Sequence, residues 1–116
     1  MNKWGERSLK HYDTLHSDLQ IIADVVLQIH DCSLLCGFRG QEKQDEAFYT
    51  RRSKVKWPNS KHNQNPSIAM DLAPYIKNQS YWDREQVLFF AGIVVATADI
   101  CLLYTSDAAD DMQGVD

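Results

Sequence analysis

The sequence predicts a small α+β domain, in which a small antiparallel sheet is flanked by helices. Helical and extended apolar patterns follow one another along the chain in the order helix, strand, helix, loop, strand, helix. The length of 116 residues suits one domain. The apolar and charged fractions, 44% and 24%, are those of an ordinary globular protein. We therefore expect a single globular fold with one core.

Three segments have the patterns of helices. Residues 15–29 carry apolar side chains at helical spacing: Leu15, Leu19, Ile22, Val26 and Ile29. Residues 41–49 are rich in helix-forming residues. Asp83 is the expected N-cap of the last helix, because Gln86 follows three residues later, as in a capping box. The apolar stripe of this helix consists of Val87, Phe90, Ala91, Val94 and Ala98.

Two segments have the patterns of strands. Residues 32–38 form a short apolar run that suits a buried strand. Residues 67–73 alternate, which places Met70 on one face of a strand and Asp71 on the other. Between the two runs, residues 51–66 lack periodicity and predict a polar loop.

The three cysteines do not indicate a disulfide framework, because their number is odd. Cys32 and Cys36 lie four residues apart on the first predicted strand and would face the same side. We expect both to be small, buried apolar side chains. A structural zinc pair is disfavoured, since no second pair of Cys or His follows at a suitable spacing.

Charge and hydropathy exclude several classes of protein. The net charge of −4 argues against a nucleic-acid partner, which requires a basic face. The longest apolar run, residues 87–98, is too short to span a bilayer and is expected to be a buried helix. No apolar segment follows Lys3 and Arg7, so we expect no signal peptide. One basic cluster suits either an anionic cell wall or a solvated loop: Arg51, Arg52, Lys54, Lys56 and Lys61.

The segment from Ser60 to Asp71 carries the residues with the clearest chemistry. His62 lies on the predicted loop and Asp71 on the strand that follows. Neutral imidazole and carboxylate are both ligands that suit zinc, so the two side chains are candidates for one metal site. By spacing alone, a His and an Asp that lie on the surface or bond within the chain are a more common case than a pair of metal ligands.

The same segment resembles a family of zinc peptidases. Its Ser-x-His and Ala-x-Asp patterns, at residues 60–62 and 69–71, are similar to those of D-alanyl-D-alanine carboxypeptidases and L-alanyl-D-glutamate endolysins. Ser-Lys-His-Asn, followed by Pro-Ser-Ile-Ala-Met-Asp-Leu-Ala-Pro-Tyr, is the form of the phage branch. A second family motif is similar to Gly37-Phe38-Arg39-Gly40 with Gln44 beyond it. The resemblance covers residues 15–100.

The resemblance implies a hedgehog/D-alanyl-D-alanine peptidase-like fold, a Zn²⁺ cofactor and the peptidoglycan stem peptide as substrate. His62 and Asp71 correspond to two of the family's three zinc ligands. Arg39 corresponds to the catalytic arginine that holds the substrate and stabilises charge on the scissile carbonyl oxygen, a role that suits a fixed guanidinium. Gln44 would support Arg39 or a substrate amide. Ser60 would bind substrate or orient a ligand.

The sequence departs from the family at the C-terminal motif, which supplies a general-base carboxylate and the third zinc ligand, a histidine. No histidine follows Asp71, and His11, His16 and His30 lie in or beside the first predicted helix. We therefore expect an incomplete fold and an inactive 116-residue chain, whose full-length parent is an L-Ala–D-Glu endopeptidase. A D-Ala–D-Ala carboxypeptidase and a non-catalytic cell-wall-binding module of the same fold are the alternatives.

Residues 101–116 differ from the rest of the chain. Cys-Leu-Leu-Tyr-Thr-Ser-Asp-Ala-Ala-Asp-Asp resembles the translated sequence of a transposase adapter used in library sequencing. We expect a partial peptidase domain at residues 1–100 and a non-native tail at residues 101–116, with a genuine acidic tail as the alternative. For the parent we expect storage in the host cytoplasm, holin-dependent access to the cell wall and periplasm, and no membrane insertion.

Overall fold

Four α-helices and a two-stranded antiparallel sheet make up the part of the chain that the computed structural model describes, residues 1–110 with side chains as far as Leu102. In chain order the elements are α1 (Glu6–Tyr12), α2 (Ser17–Ile29), β1 (Cys32–Cys36), α3 (Gln41–Tyr49), β2 (Asp71–Pro74) and α4 (Arg84–Asp110). A short 3-10 turn covers Lys61–Asn63. The predicted α+β class, with a small antiparallel sheet and flanking helices, is confirmed.

The core lies between α2, α4 and the sheet. Its buried members come from all three: Ile22, Val26, Leu27, Cys32 and Phe90. The apolar stripe of α2 faces this core as predicted, although Ile29 at the end of the helix is exposed. Full burial of an aliphatic or aromatic side chain contributes about 1.5–3 kcal/mol. Apolar packing therefore holds the two long helices against the sheet.

Helix α1 has no counterpart in the sequence prediction, because its seven residues carry no apolar stripe. Hydrogen bonds hold it in place instead. Trp4 Nε1 and Tyr12 OH donate to the two carboxylate oxygens of Asp24 on α2, at 3.1 and 2.7 Å. The buried Ser8 Oγ accepts from the backbone N–H of Leu34 on β1 at 3.0 Å. These bonds attach α1 to both α2 and the sheet.

The two strands pair with a β-bulge. Leu34 lies opposite Leu72, but the next pair is Cys36 with Asp71. Leu35 is therefore an extra residue on β1, and its side chain is exposed. A bulge bends its strand and re-aims the side chains that follow. Because paired residues share a face of the sheet, the bulge turns Cys36 to the side of Asp71.

Strand β2 is shorter than predicted, since it begins at Asp71 rather than at residue 67 and includes Pro74. Ser67 is fully buried and bonds to the turn before α2. Its N–H donates to the Thr14 carbonyl at 2.8 Å, and its carbonyl accepts from the His16 N–H at 2.9 Å. These bonds engage the backbone of Ser67 with the turn before α2, and β1 pairs with the residues from Asp71 onward.

Helix α4 begins with the predicted capping box but is longer than expected. Asp83 Oδ1 accepts from the Glu85 N–H at 3.2 Å, and the Asp83 N–H donates to Gln86 Oε1 at 3.3 Å. Its stretch Arg84–Leu102 is 19 residues long and, by length and composition alone, apolar enough to cross a membrane. Core helices of soluble proteins pass the same test. The expectation that no stretch of the chain is apolar for long enough to span a bilayer was wrong.

Helix α4 was also expected to be buried, and it is not: only 11% of its most apolar stretch is buried. The reason is that apolar residues lie on both of its faces. Phe90 packs in the core, whereas Leu88, Phe89 and Val95 are exposed.

The predicted boundary at Ile100 coincides with no break in the backbone, because α4 continues to Asp110. Cys101 packs against the core cluster. Residues 111–116 lie outside the described part of the chain, and the non-native origin of residues 101–116 stays a prediction.

We expect Gly37→Ala to destabilise the fold by about 1–3 kcal/mol, the usual cost of overpacking. An added Cβ would lie 2.7 Å from the backbone carbonyl oxygen of His11 in α1. Urea unfolding measures the effect. Gly92→Ala is the matched control, since open space surrounds Gly92 on α4 and alanine favours a helix by about 0.5–1 kcal/mol. Equal stabilities of the two variants would contradict the close approach at Gly37.

Candidate metal centre and substrate cleft

Two loops meet at the end of the sheet where β1 stops and β2 begins. The backbone N–H of Arg39, just after β1, donates to the His62 carbonyl at 2.7 Å. Asn63 Nδ2 donates to the Arg39 carbonyl at 2.9 Å. These bonds join the loop after β1 to the 3-10 turn, so the two motifs found in the sequence lie side by side.

His62 and Asp71, the two candidate metal ligands, are neighbours in the fold. His62 Nε2 lies 3.5 Å from Asp71 Oδ1. His62 Nδ1 lies 2.8 Å from the Gly37 carbonyl oxygen, and because a carbonyl only accepts, Nδ1 carries a proton. This bond directs Nε2 toward Asp71. The His62 side chain is 13% exposed and that of Asp71 is 52% exposed, so the pair opens to solvent on the Asp71 side.

The two side chains shift each other's acidity. The hydrogen bond with Asp71, followed by that with Cys36, raises the pKa of His62 to about 10. The hydrogen bond with His62 likewise lowers the pKa of Asp71. Near neutral pH the metal-free pair is an imidazolium and a carboxylate. A metal ion that takes Nε2 as a ligand must therefore displace a proton.

We expect the stability of the chelator-treated chain to fall as the pH rises from 6.5, the ordinary pKa of His62, to about 10, its pKa in the fold. A group whose pKa is higher in the folded chain than in the unfolded chain stabilises the fold at pH values below its unfolded pKa. This contribution is lost as the pH rises through its folded pKa. The lowered pKa of Asp71 has the opposite effect, since its contribution is lost as the pH falls through the acid range.

Thermal unfolding across this range measures the effect. Because Tyr and Lys also titrate near pH 10, the comparison is with His62→Gln, in which the alkaline decline should be smaller. An identical alkaline decline in the variant would contradict the assignment.

Cys36 belongs to the same cluster, and the sequence analysis missed it. Its Sγ and the ligand atoms of His62 and Asp71 all lie within 4.8 Å of one another. The expectation that Cys36 is a buried apolar side chain was wrong: it is half-buried and lines a cleft beside Asp71. Strict alternation would have placed it in the core with Cys32, and the bulge at Leu35 prevents this.

The two thiols of β1 accordingly differ in acidity. Burial, then the negative charge of Asp31, raises the pKa of Cys32 to about 12. Burial also acts to raise the pKa of Cys36, but hydrogen bonds and positive charge from His62 and Arg39 outweigh it, and the pKa is lowered. Cys36 is therefore the more readily ionised of the two.

Arg39 reaches the same cleft as Asp71. Its Nη2 lies 3.7 Å from Asp71 Oδ2, and its side chain is 18% exposed. Because that carboxylate is half exposed to solvent, Arg39 is not held in a closed, buried ion pair. Its Nη1 donates to Gln44 Oε1 at 3.0 Å, which fixes the guanidinium from behind. The guanidinium therefore has a fixed orientation at the wall of the cleft, and its role in substrate binding stays a prediction.

Gln44 is the buried centre of a hydrogen-bond network. Its Oε1 also accepts from Asn63 Nδ2 at 3.1 Å, and its Nε2 donates to Ser53 Oγ at 3.0 Å and to the Val55 carbonyl at 2.6 Å. The side chain is fully buried and every polar atom has a partner within the chain. Of the two roles considered for Gln44, support of Arg39 fits this arrangement and contact with a substrate amide does not.

We expect Gln44→Met to destabilise the fold by at least about 1–3 kcal/mol. Methionine keeps the approximate shape but leaves donors of Arg39 and Asn63 without their acceptor, and each unsatisfied buried group costs about that much. Gln41→Met on the same helix is the control, because Gln41 is exposed and surface changes usually stay within about 0.5 kcal/mol. Chemical denaturation compares them, and equal midpoints would show that the network contributes little.

Ser60 and Asn63 shape the turn that carries His62. Ser60 Oγ accepts from the His62 N–H at 3.2 Å, while Asn63 Oδ1 accepts from the Ser60 N–H at 3.0 Å, which makes a capping box. Ser60 therefore orients a candidate ligand, one of its two expected roles. Asn63 was not singled out from the sequence, although the Ser-x-x-Asn spacing is similar to that of a capping box.

Arg39 and Asp71 line a cleft of about 840 Å³, whereas His62, Gln44 and Ser60 are not among its lining residues. Its charged and titratable lining consists of His11, Cys36, Arg39, Lys43, Glu46, Arg52 and Asp71. Arg52, a member of the basic cluster in the sequence, lines the cleft. Another member of that cluster, Lys56, has its Nζ 5.1 Å from the centre of the Phe48 ring.

The other histidines differ in position. His16 Nδ1 accepts from the Asp18 N–H at the start of α2, and His30 packs against Phe90. Only His11 of these three lines the cleft.

Comparison with known proteins places the whole site inside one family match. A family model described as phage L-alanyl-D-glutamate peptidase matches residues 1–100. That range contains both loops, the bulge and the cleft-lining residues named above. No curated protein matches the chain.

Proposed function

Because the chain belongs to the phage L-alanyl-D-glutamate peptidase family, whose members are peptidoglycan-hydrolysing endolysins, we propose that its domain is built for zinc-dependent hydrolysis of the L-Ala–D-Glu bond in the peptidoglycan stem peptide. His62 and Asp71 would hold the metal. Arg39 would contact the substrate, and Gln44, Ser60 and Asn63 would position these groups.

The observation that carries the proposal is the convergence of His62 and Asp71. With zinc–nitrogen and zinc–oxygen bonds of about 2.0–2.1 Å, two ligands of a tetrahedral ion lie roughly 3.4 Å apart. The separation of 3.5 Å between Nε2 and Oδ1 fits this value. The bond from Nδ1 to the Gly37 carbonyl also fits, since metal-binding histidines usually donate their other N–H to a backbone carbonyl or carboxylate.

A bound Zn²⁺ would supply Lewis acidity toward the scissile carbonyl. The chain itself would supply binding and orientation. Arg39, held by Gln44, presents a fixed guanidinium beside the metal ligands, where it would donate to the carbonyl oxygen as negative charge develops. Lys43 and Arg52 add positive charge to the same cleft, which suits the carboxylates of a stem peptide.

The 116-residue chain is further proposed to hydrolyse peptidoglycan poorly. Among the residues with described side chains, Asp71 is the only carboxylate within 4 Å of His62, and it is assigned to the metal. Removing a general base typically lowers a rate by about 10²–10⁴-fold. The family's C-terminal motif would supply this base and a histidine ligand. Release from the host cytoplasm through a holin would bring the parent enzyme to the wall.

The test is digestion of purified peptidoglycan by this chain and by a version extended with the family's C-terminal region, each with and without chelator. We expect chelator-sensitive release of new D-Glu amino termini by the extended version. Release of free D-alanine instead would identify a D-Ala–D-Ala carboxypeptidase. Binding to peptidoglycan without any cleavage by either version would favour a non-catalytic wall-binding module.

A further inference from the structure

A third potential ligand atom lies beside the two that the proposed function uses. Cys36 Sγ shares a 4.8 Å cluster with the ligand atoms of His62 and Asp71. Each residue comes from a different segment: Cys36 ends β1, His62 lies in the 3-10 turn, and Asp71 begins β2. Ligand atoms that converge on one point from separate segments can hold a single metal ion.

The β-bulge accounts for the position of the thiol. Cys36 is the direct cross-strand partner of Asp71, and paired residues have Cβ atoms about 4.5–5.5 Å apart on the same face. If the two strands paired without the register shift, Leu35 would lie opposite Asp71 and Cys36 would follow Cys32 and Leu34 toward the core. Bulges next to active sites commonly re-aim one side chain in this way.

Cys, His and Asp also occur together in nucleophilic triads, but the hydrogen bonds argue against one here. In such a triad the nucleophile and the acid bind opposite nitrogens of the imidazole. In this chain Nδ1 donates to the Gly37 carbonyl, and Nε2 is the nitrogen that faces Asp71. Asp71 therefore does not take the position of the acid on Nδ1, so the three groups suit a shared ion better than a proton relay.

We propose that in this chain, in which no histidine follows Asp71, Cys36 is the third direct protein ligand of the metal, so that the chain presents a Cys-His-Asp set selective for thiophilic divalent ions such as Zn²⁺. The inference rests on the proposed function for the identity of the other two ligands. Zinc–sulfur bonds are about 2.3 Å, so a thiolate and an imidazole nitrogen on one ion lie roughly 3.6 Å apart. A small side-chain rotation would reach this distance from the cluster as it stands. A thiolate also disfavours Mg²⁺ and Ca²⁺, which take oxygen ligands.

The experiment titrates the reduced, metal-free 116-residue chain with Co²⁺, which reports thiolate ligation as a charge-transfer band in the near ultraviolet. We expect the wild-type chain to show this band together with the visible bands of tetrahedral Co²⁺. Cys36→Ser should lose the charge-transfer band. Cys32→Ala is the matched control on the same strand and should keep it, because Cys32 is buried in the core.

Alkylation of the wild-type chain gives a second measurement that needs no variant. Peptide mass spectrometry after brief iodoacetamide treatment reports each cysteine separately. We expect Zn²⁺ to protect Cys36, and chelator to restore its reaction. Equal alkylation of Cys36 with and without bound Zn²⁺ would overturn the proposal.

The outcomes also separate this proposal from the function. Visible Co²⁺ bands that require His62 but carry no charge-transfer band would overturn the role of Cys36 and leave the peptidase proposal intact. If neither the visible bands nor the charge-transfer band of Co²⁺ appears, the proposal that Cys36 is a metal ligand is overturned as well. The peptidase proposal is then judged by the digestion of peptidoglycan, which does not depend on Cys36.

Discussion

His62→Ala should lower the affinity of the chain for Zn²⁺ by more than about 100-fold. Loss of a residue that merely supports a metal ligand typically costs about 10–100-fold in affinity, and His62 is assigned as a ligand itself. It is also the member of the cluster with the most fixed orientation, since its ring is bonded to the Gly37 carbonyl at 2.8 Å. Isothermal titration calorimetry with Zn²⁺ measures the change.

The matched control is His16→Asn. His16 caps α2 by accepting from the Asp18 N–H at 3.1 Å, and asparagine retains a side-chain acceptor for this cap. This variant should bind Zn²⁺ as the wild-type chain does. Circular dichroism establishes that both variants are folded. Unchanged affinity in His62→Ala would remove the metal site from this part of the molecule.

Arg39→Ala should lower kcat/KM for peptidoglycan by about 10²–10³-fold, the usual cost of removing one donor to a developing oxyanion. The measurement uses the version extended with the family's C-terminal region, because the 116-residue chain is proposed to be nearly inactive. The physical reason is the fixed position of the guanidinium beside Asp71, because Arg39 Nη1 donates to Gln44 Oε1 at 3.0 Å. Metal affinity should change little by comparison.

Two further variants separate position from charge. Lys43→Ala removes a positive charge from the same cleft but is not part of the buried network, so a loss of less than about 10-fold is expected if position matters. Arg39→Lys keeps the charge and loses the planar fork, so it should be nearer to Arg39→Ala than to wild type. Equal effects of Lys43→Ala and Arg39→Ala would reduce the role of Arg39 to general attraction.

The regular elements with a clear local pattern could be predicted from the sequence. The stripe of α2, the composition of α3 and the capping box before α4 each depend on neighbours within a few positions, and each element is present. The proximity of His62 and Asp71 could also be anticipated. The resemblance to the family's Ser-x-His and Ala-x-Asp patterns identifies both residues, although the segment between them has no periodicity. Helix α1 could not be predicted, because hydrogen bonds to Asp24 and Leu34, which lie far along the chain, hold it in place.

Tertiary contacts decided the rest of the site. Gln44 and Asn63 become a positioning network only when α3 and the 3-10 turn are brought together, and no local pattern encodes that meeting. Cys36 shows the same principle most directly. The alternation of β1 assigns it to the core, but a single extra residue at Leu35 reverses its face, because side chains in a strand alternate with a period of two. A register shift is a property of the paired strands, so only the fold could place this thiol beside His62 and Asp71.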